Sequence, residues 1–136
     1  MAYAGDRRAL SARTVRRIVA IVLRGERQVA DVTVTFMSGP RMRSLNRKTF
    51  ERDRATDVIA FGMRHAERIV ADVYVCPSVA RRSVRRFGVS AREEFVRLVV
   101  HGTLHALGYD HPVDHRRTQS QMWKRQEHYV SKFFGA

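Results

Sequence analysis

The sequence predicts an α+β fold, a small mixed β-sheet covered by helices. Three observations predict it: apolar residues recur at helical spacing in five segments, three other segments are short and β-branched, and their order along the chain is α-β-α-β-β-α-α-α. The 136 residues are 44% hydrophobic, which suits a packed core, and one domain spanning 1–136 is expected.

The first helix covers residues 7–24, where Leu10, Val15, Ile18, Val19, Ile21, Val22 and Leu23 lie between arginines, and it ends near Gly25. DVTVTFM (31–37) alternates and reads as a strand. Ser38-Gly39-Pro40 is a turn, and residues 40–50 form a short helix with Met42, Leu45 and Phe50 as its apolar positions. ERDRA (51–55) is a polar loop. TDVIAFGM (56–63) and RIVADVYV (68–75) are strands joined as a hairpin through 64–67. Pro77-Ser78 opens a helix to about Phe87, stopped by Gly88. Ser90 precedes Glu93 by three, a capping-box spacing, so the next helix runs from Ala91 to about Leu107 and ends at Gly108. A last helix occupies about 116–134.

Lys and Arg number 26 against 13 Asp and Glu, a net charge of +13, and 23 of the 26 are Arg. Such an excess favours a polyanion, RNA or DNA before an anionic membrane surface, and equally serves solubility. No stretch approaches the ~20 apolar residues that span a bilayer. MAYAGDRRAL lacks the charged and apolar regions of a secretion signal, and the lone Cys76 cannot form an internal disulfide; both lead us to expect a cytoplasmic protein. Cys76, before Pro77, is expected to be a buried small apolar residue.

HGTLHALGYDH (101–111) is the informative segment. His101 and His105, four apart on a helix, project from one face. Gly108 can reverse the chain and return His111 to them. Three neutral imidazoles at about 2.0–2.1 Å make a catalytic-type Zn²⁺ site with a position left for water. Other divalent ions also accept imidazole. The spacing is zincin-like, that of the metzincin proteases, but Gly102 stands where their general-base Glu belongs. This counts against a peptidase and leaves another metal-dependent hydrolase open.

The same segment resembles the signature of the YbeY family of bacterial rRNA maturation factors, H-G-x-L-H-L-x-G-Y-D-H. In order, Leu45-Asn46-Arg47 resembles that family's L-N-R helix, Thr56 to Phe61 its T-D-V-L-S-F strand, Ala71 to Val75 its G-D-I-x-I strand, Glu94 to Val100 the helix before the histidines, and Met122 to Glu127 its M-x-x-x-Q-E. The resemblance covers about 30–130. It implies a zinc-dependent, single-strand-specific endoribonuclease that matures the 3′ end of 16S rRNA and serves ribosome quality control. Its metal ligands would be His101, His105 and His111, its partners ribosomal RNA and the small ribosomal subunit, with no small-molecule cofactor and no membrane. The chain departs from the family in three places. An arginine common after the L-N-R helix falls on Phe50, Ala60-Phe61-Gly62 replaces S-F-P, and the link from Phe61 to Asp72 is short.

Arg52 and Arg54 are the candidates to hold a phosphate, since a guanidinium forks onto it and stays charged; the alternative for each taken singly is a solvated loop residue. Asp57 is a candidate general base or a structural turn. Asp110 either orients a ligand or caps a turn. Tyr109 and Trp123 either stack on bases or belong to the core. The arginines of 7–24 and of 81–86 either track an RNA backbone or form polar helix faces. His65, His115 and His128 read as ordinary surface residues, although His115 is close to His111. The competing reading is a non-catalytic, zinc-stabilised ribosome assembly factor, in which Asp110 or His115 would complete a closed structural site.

Overall fold

In the computed structural model, residues 2–4, 9–109 and 120–135 are described. A strand that the sequence did not announce comes first, β1 (Ala2–Ala4); three residues are too few to display an alternation. Helix α1 (Ala12–Glu26) begins later than expected because the Ser11 side chain accepts from Thr14 N–H and caps it there. It runs through Gly25 and stops at Arg27, whose backbone is left-handed (φ 55°). Strand β2 (Ala30–Phe36) leads to Ser38, which caps α2 (Gly39–Phe50) by accepting from Arg41 N–H at 3.4 Å. Strands β3 (Val58–His65) and β4 (Arg68–Val75) form the expected hairpin; β4 has the expected bounds, and β3 is shifted two residues toward the turn, which shortens to Ala66-Glu67.

Helix α3 (Pro77–Phe87) ends at Gly88 with φ 71°, as its sequence indicates. Ser90 caps α4 (Ala91–Ala106), accepting from Glu93 N–H at 3.1 Å. Helix α5 (Gln121–Gly135) closes the chain; its expected start at 116 lies outside the described residues.

Among the described residues four strands form one sheet, in the order β1-β2-β4-β3. β1, β2 and β4 are parallel, and β3 is antiparallel to β4, so the sheet is mixed as expected. Val32, Val34 and Phe36 are partnered by Ala71, Val73 and Val75, and this row is buried. α4 crosses that face. Phe95, Val96, Leu98, Val99, Val100 and Leu104 are all buried, so the helix is apolar around most of its circumference and lies between the sheet and helices α1 and α5. Each such side chain contributes roughly 1.5–3 kcal/mol by leaving water. Two glycines allow the contact. A Cβ on Gly102 would stand 2.5 Å from Val73 Cγ1, and one on Gly62 would overlap the Ala106 carbonyl. The last two turns of the helix, carrying His101 and His105, are thereby pressed against β3 and β4.

A smaller cluster of Met37, Met42, Ile59 and Cys76 packs α2 on the sheet. Cys76 is fully buried, as expected. Phe50 is not: read as an apolar helix position, it is 51% exposed, because α2 ends there and its buried side is supplied by Met42.

Candidate active site

His101 and His105 present parallel rings, with centroids 6.5 Å apart and planes at 9°. His105 Nδ1 lies 2.9 Å from the Tyr109 carbonyl, which can only accept, so Nδ1 carries the proton and the neutral ring holds its lone pair on Nε2. His101 Nδ1 lies 2.7 Å from Gln126 Oε1. The amide is oriented by its other end: Gln126 Nε2 donates to Glu127 Oε2 at 3.0 Å, and a carboxylate only accepts. Arg97 fixes Glu127 in turn through two bonds of 2.9 Å. The relay Arg97–Glu127–Gln126–His101 therefore sets the same tautomer at the second histidine. This arrangement is the one a metal-binding imidazole requires. The donor set fits a zinc ion at this level: two neutral imidazoles on one helix face, oriented by carbonyl-type acceptors. The third expected ligand, His111, and the alternatives Asp110 and His115 lie outside the described residues. Among the described residues no group of three His, Cys, Asp or Glu is placed to hold a metal.

Burial and hydrogen bonding act in opposite directions on Glu127. Burial raises its pKa, but the bonds from Arg97 and Gln126 outweigh it, so the carboxyl stays below the usual range. Arg97 is held charged by Glu127. At the other histidine, the Tyr109 hydroxyl donates to Glu26 Oε1 at 2.6 Å. Glu26, 6% exposed in its side chain, also accepts from Tyr129 and from Arg125 Nε at 3.1 Å, and Arg125 Nη2 pairs with it at 2.8 Å. Burial opposes its charge, yet these donors lower its pKa overall. Tyr109 thus serves from both ends: its carbonyl orients His105, and its hydroxyl ties the segment to α1 and α5.

Gly102 points into the sheet beside Val73 and Val58, away from the rings. The position that bears a base in the proteases has no room for any side chain here, which gives a steric reason for the missing carboxylate.

A cleft of about 380 Å³ opens over the two rings, lined by His101, His105, Asn46, Phe50, Arg52 and Arg54. Both candidate arginines therefore reach the histidines' cleft. Asn46, buried at the base of the cleft, donates from Nδ2 to the Arg54 carbonyl at 2.9 Å and pins the loop after α2. Asp53 folds the other way, onto Arg43, in two bonds of 2.8 and 2.9 Å. Phe50, where the family resemblance places an arginine, also lines the cleft.

Asp57 lies elsewhere. It lines a second cleft, of about 570 Å³, on another side of His101, with Glu94, Trp123 and Gln126. Burial raises the Glu94 pKa, with Arg97 opposing and the Asp57 charge adding to it. Sequence reasoning passed over Asn46, Gln126, Glu127, Arg97 and Glu26. The L-N-R, Glu94–Val100 and M-x-x-x-Q-E matches contain all of them but Glu26, yet none gives a role, because the partners lie beyond the local pattern. His65 and His128 are exposed and line neither cleft.

Comparisons with known proteins agree with this architecture. Three curated relatives, each named endoribonuclease YbeY, are similar to the chain. One from Thermotoga maritima is 30% identical over 81% of this chain and 73% of its own length. One from Polaromonas is 34% identical over 83% and 71%. One from Chlorobium phaeobacteroides is 31% identical over 96% and 94%. The solution structure of a Thermotoga maritima protein superposes with a TM-score of 0.69 at 25% identity, covering 98% of this chain and 89% of that one. Residues 6–134 match the family described as endoribonuclease YbeY, and the chain belongs to that family.

Proposed function

We propose that this chain is a metal-dependent, single-strand-specific endoribonuclease, acting in 16S rRNA 3′-end maturation and ribosome quality control on the small subunit. In this reading residues 1–136 work as one cytoplasmic domain without a small-molecule cofactor. The observation that carries it is the shared cleft: Arg52 and Arg54 meet His101 and His105 there, beside a loop pinned by Asn46. The family's name supplies the reaction class.

His101, His105 and His111 would hold the metal, with zinc the ion best matched to imidazole donors. When bound, it would supply Lewis-acid polarisation and activation of water. The residues of the chain do the rest. Arg52 and Arg54 bind the phosphate and balance the charge that grows on its oxygens during attack. Gln126 and the Tyr109 carbonyl keep the imidazoles in the ligating tautomer. Asp57, which lines the neighbouring cleft with His101, is the candidate general base.

The test compares purified parent with His105→Ala on single-stranded RNA, with and without chelator. The parent should cleave and carry stoichiometric zinc; the variant should lose both. A variant that cuts at the parent rate would overturn the assignment. A parent that binds RNA and zinc but never cuts would instead support the non-catalytic assembly factor.

A further inference from the structure

We propose that Phe50 is a stacking platform for one base of the RNA strand whose phosphates the cleft arginines hold. The inference rests on the reading above and deepens it, because it says how the cleft selects an unpaired strand.

Phe50 ends α2 with half its surface in solvent. Several large apolar side chains are exposed on the described surface, among them Val29, Met63, Val70 and Phe134; of these, Phe50 is the one that lines the histidines' cleft. Its ring is braced. Phe50 stacks on Phe61 with centroids 6.2 Å apart and planes at 14°, and Phe61 meets Tyr74 edge-on at 6.3 Å and 70°. A ring supported from behind keeps its position at little entropic cost when something lands on its open side.

The chemistry of the cleft names the guest. A planar apolar face stands beside two guanidiniums and two imidazoles. A ligand matching all of these carries an anionic group and a flat aromatic group a short distance apart, which describes a nucleotide. The guanidiniums take the phosphate, and the ring takes the base. Stacking of this kind tolerates any base, since every base has a π-face. It does not tolerate a duplex, in which both faces of the base are already covered by its neighbours. The charge that the family resemblance places at position 50 is not lost from the cleft, because Arg52 and Arg54 are two and four residues further on.

The experiment uses the full-length, zinc-loaded protein and a short mixed-sequence oligoribonucleotide, alone and annealed to its complement. Fluorescence anisotropy reads Kd, and steady-state cleavage reads KM and kcat. Phe50→Ala should raise Kd and KM for the single strand about tenfold, near the lower end of measured base-stacking effects. Zinc content, melting temperature and kcat should stay close to the parent's. Phe50→Trp should restore Kd, and Phe50→Leu, which is apolar but not aromatic, should not. Met63→Ala, exposed on β3 outside the cleft, should change nothing. Binding by Phe50→Ala or Phe50→Leu equal to the parent's would overturn the platform. If the parent never cuts yet the order of Kd among Phe50 variants holds, the platform stands and the nuclease reading falls.

Discussion

His101 and His105 project from a helix whose apolar residues are buried on nearly every side, and each Nδ1 is engaged by a defined acceptor. Arg52 and Arg54, facing the same cleft, sit on an exposed loop held by the amide of Asn46. The two regions are built to different tolerances because their tasks differ. Metal ligation depends on tautomer, lone-pair direction and distance to a few tenths of an ångström, so it needs a packed support. Phosphate attraction depends on charge and falls off gradually with distance, so a mobile guanidinium performs it adequately.

The largest effect that would break this contrast is a side chain at Gly102. Gly102→Glu would drive a charged group into Val73 and the sheet, and the protein should fail to fold; loss of the far- and near-ultraviolet circular dichroism would show it. A folded, stable variant would mean that the helix end is not the rigid part.

Next comes the relay. Gln126→Leu keeps the bulk but removes the acceptor for His101, and zinc affinity should fall about 10–100-fold. Chelator competition measures this, with RNA affinity in the absence of metal left near the parent's.

The loop should show the opposite pattern. Asn46→Ala removes the bond to the Arg54 carbonyl, costing about 1 kcal/mol of stability by denaturant titration. RNA affinity should weaken while zinc content is retained. If zinc is lost together with RNA affinity, the two regions are coupled rather than separate.

The smallest effect is on the support behind His105. Tyr129, buried against Glu26, has its pKa pushed up from 10.0 to about 12 by burial and then by the Glu26 carboxylate. A group that keeps its proton longer in the folded state contributes stability that is complete below pH 10 and lost as pH rises through 12. Glu26 and Glu127 carry depressed pKa values, so their contribution is present above the ordinary carboxylate range and lost as pH falls through the folded values. Thermal melts across pH should therefore fall at both ends, and Tyr129→Phe should shrink the alkaline limb, leaving the part due to Tyr109, whose pKa Glu26 also raises.

What could be read from the chain was local. Ser90, Gly88 and Gly108 act within a few residues, so the caps of α3 and α4 follow directly from them, and Gly108 does take φ +113°. The i, i+4 histidines share a face for the same reason. α1 was misplaced at its start because apolar Leu10 fits the helical spacing, although Ser11 caps the helix after it. β1 was missed because its only signal is the partner register Tyr3 to Val34. Phe50 was assigned to an apolar helix face because spacing cannot tell a buried position from one that opens on a cleft.

By itself, then, the sequence determined the types of every described element but β1, the mixed α+β class, the His101–His105 pair, the absence of a protease carboxylate and the basic charge. Each depends on residue identity or on spacing within one or two turns. Only the tertiary structure decided that Gln126 and Glu127 govern a histidine 25 residues away, that Glu26 supports Tyr109, and that Phe50 shares a cleft with Arg52, Arg54 and the histidines. Those pairings are made by packing α5, α1 and α2 around α4 and the sheet. Hydrogen bonds and shared clefts between distant residues exist only once buried apolar surface has brought the elements together.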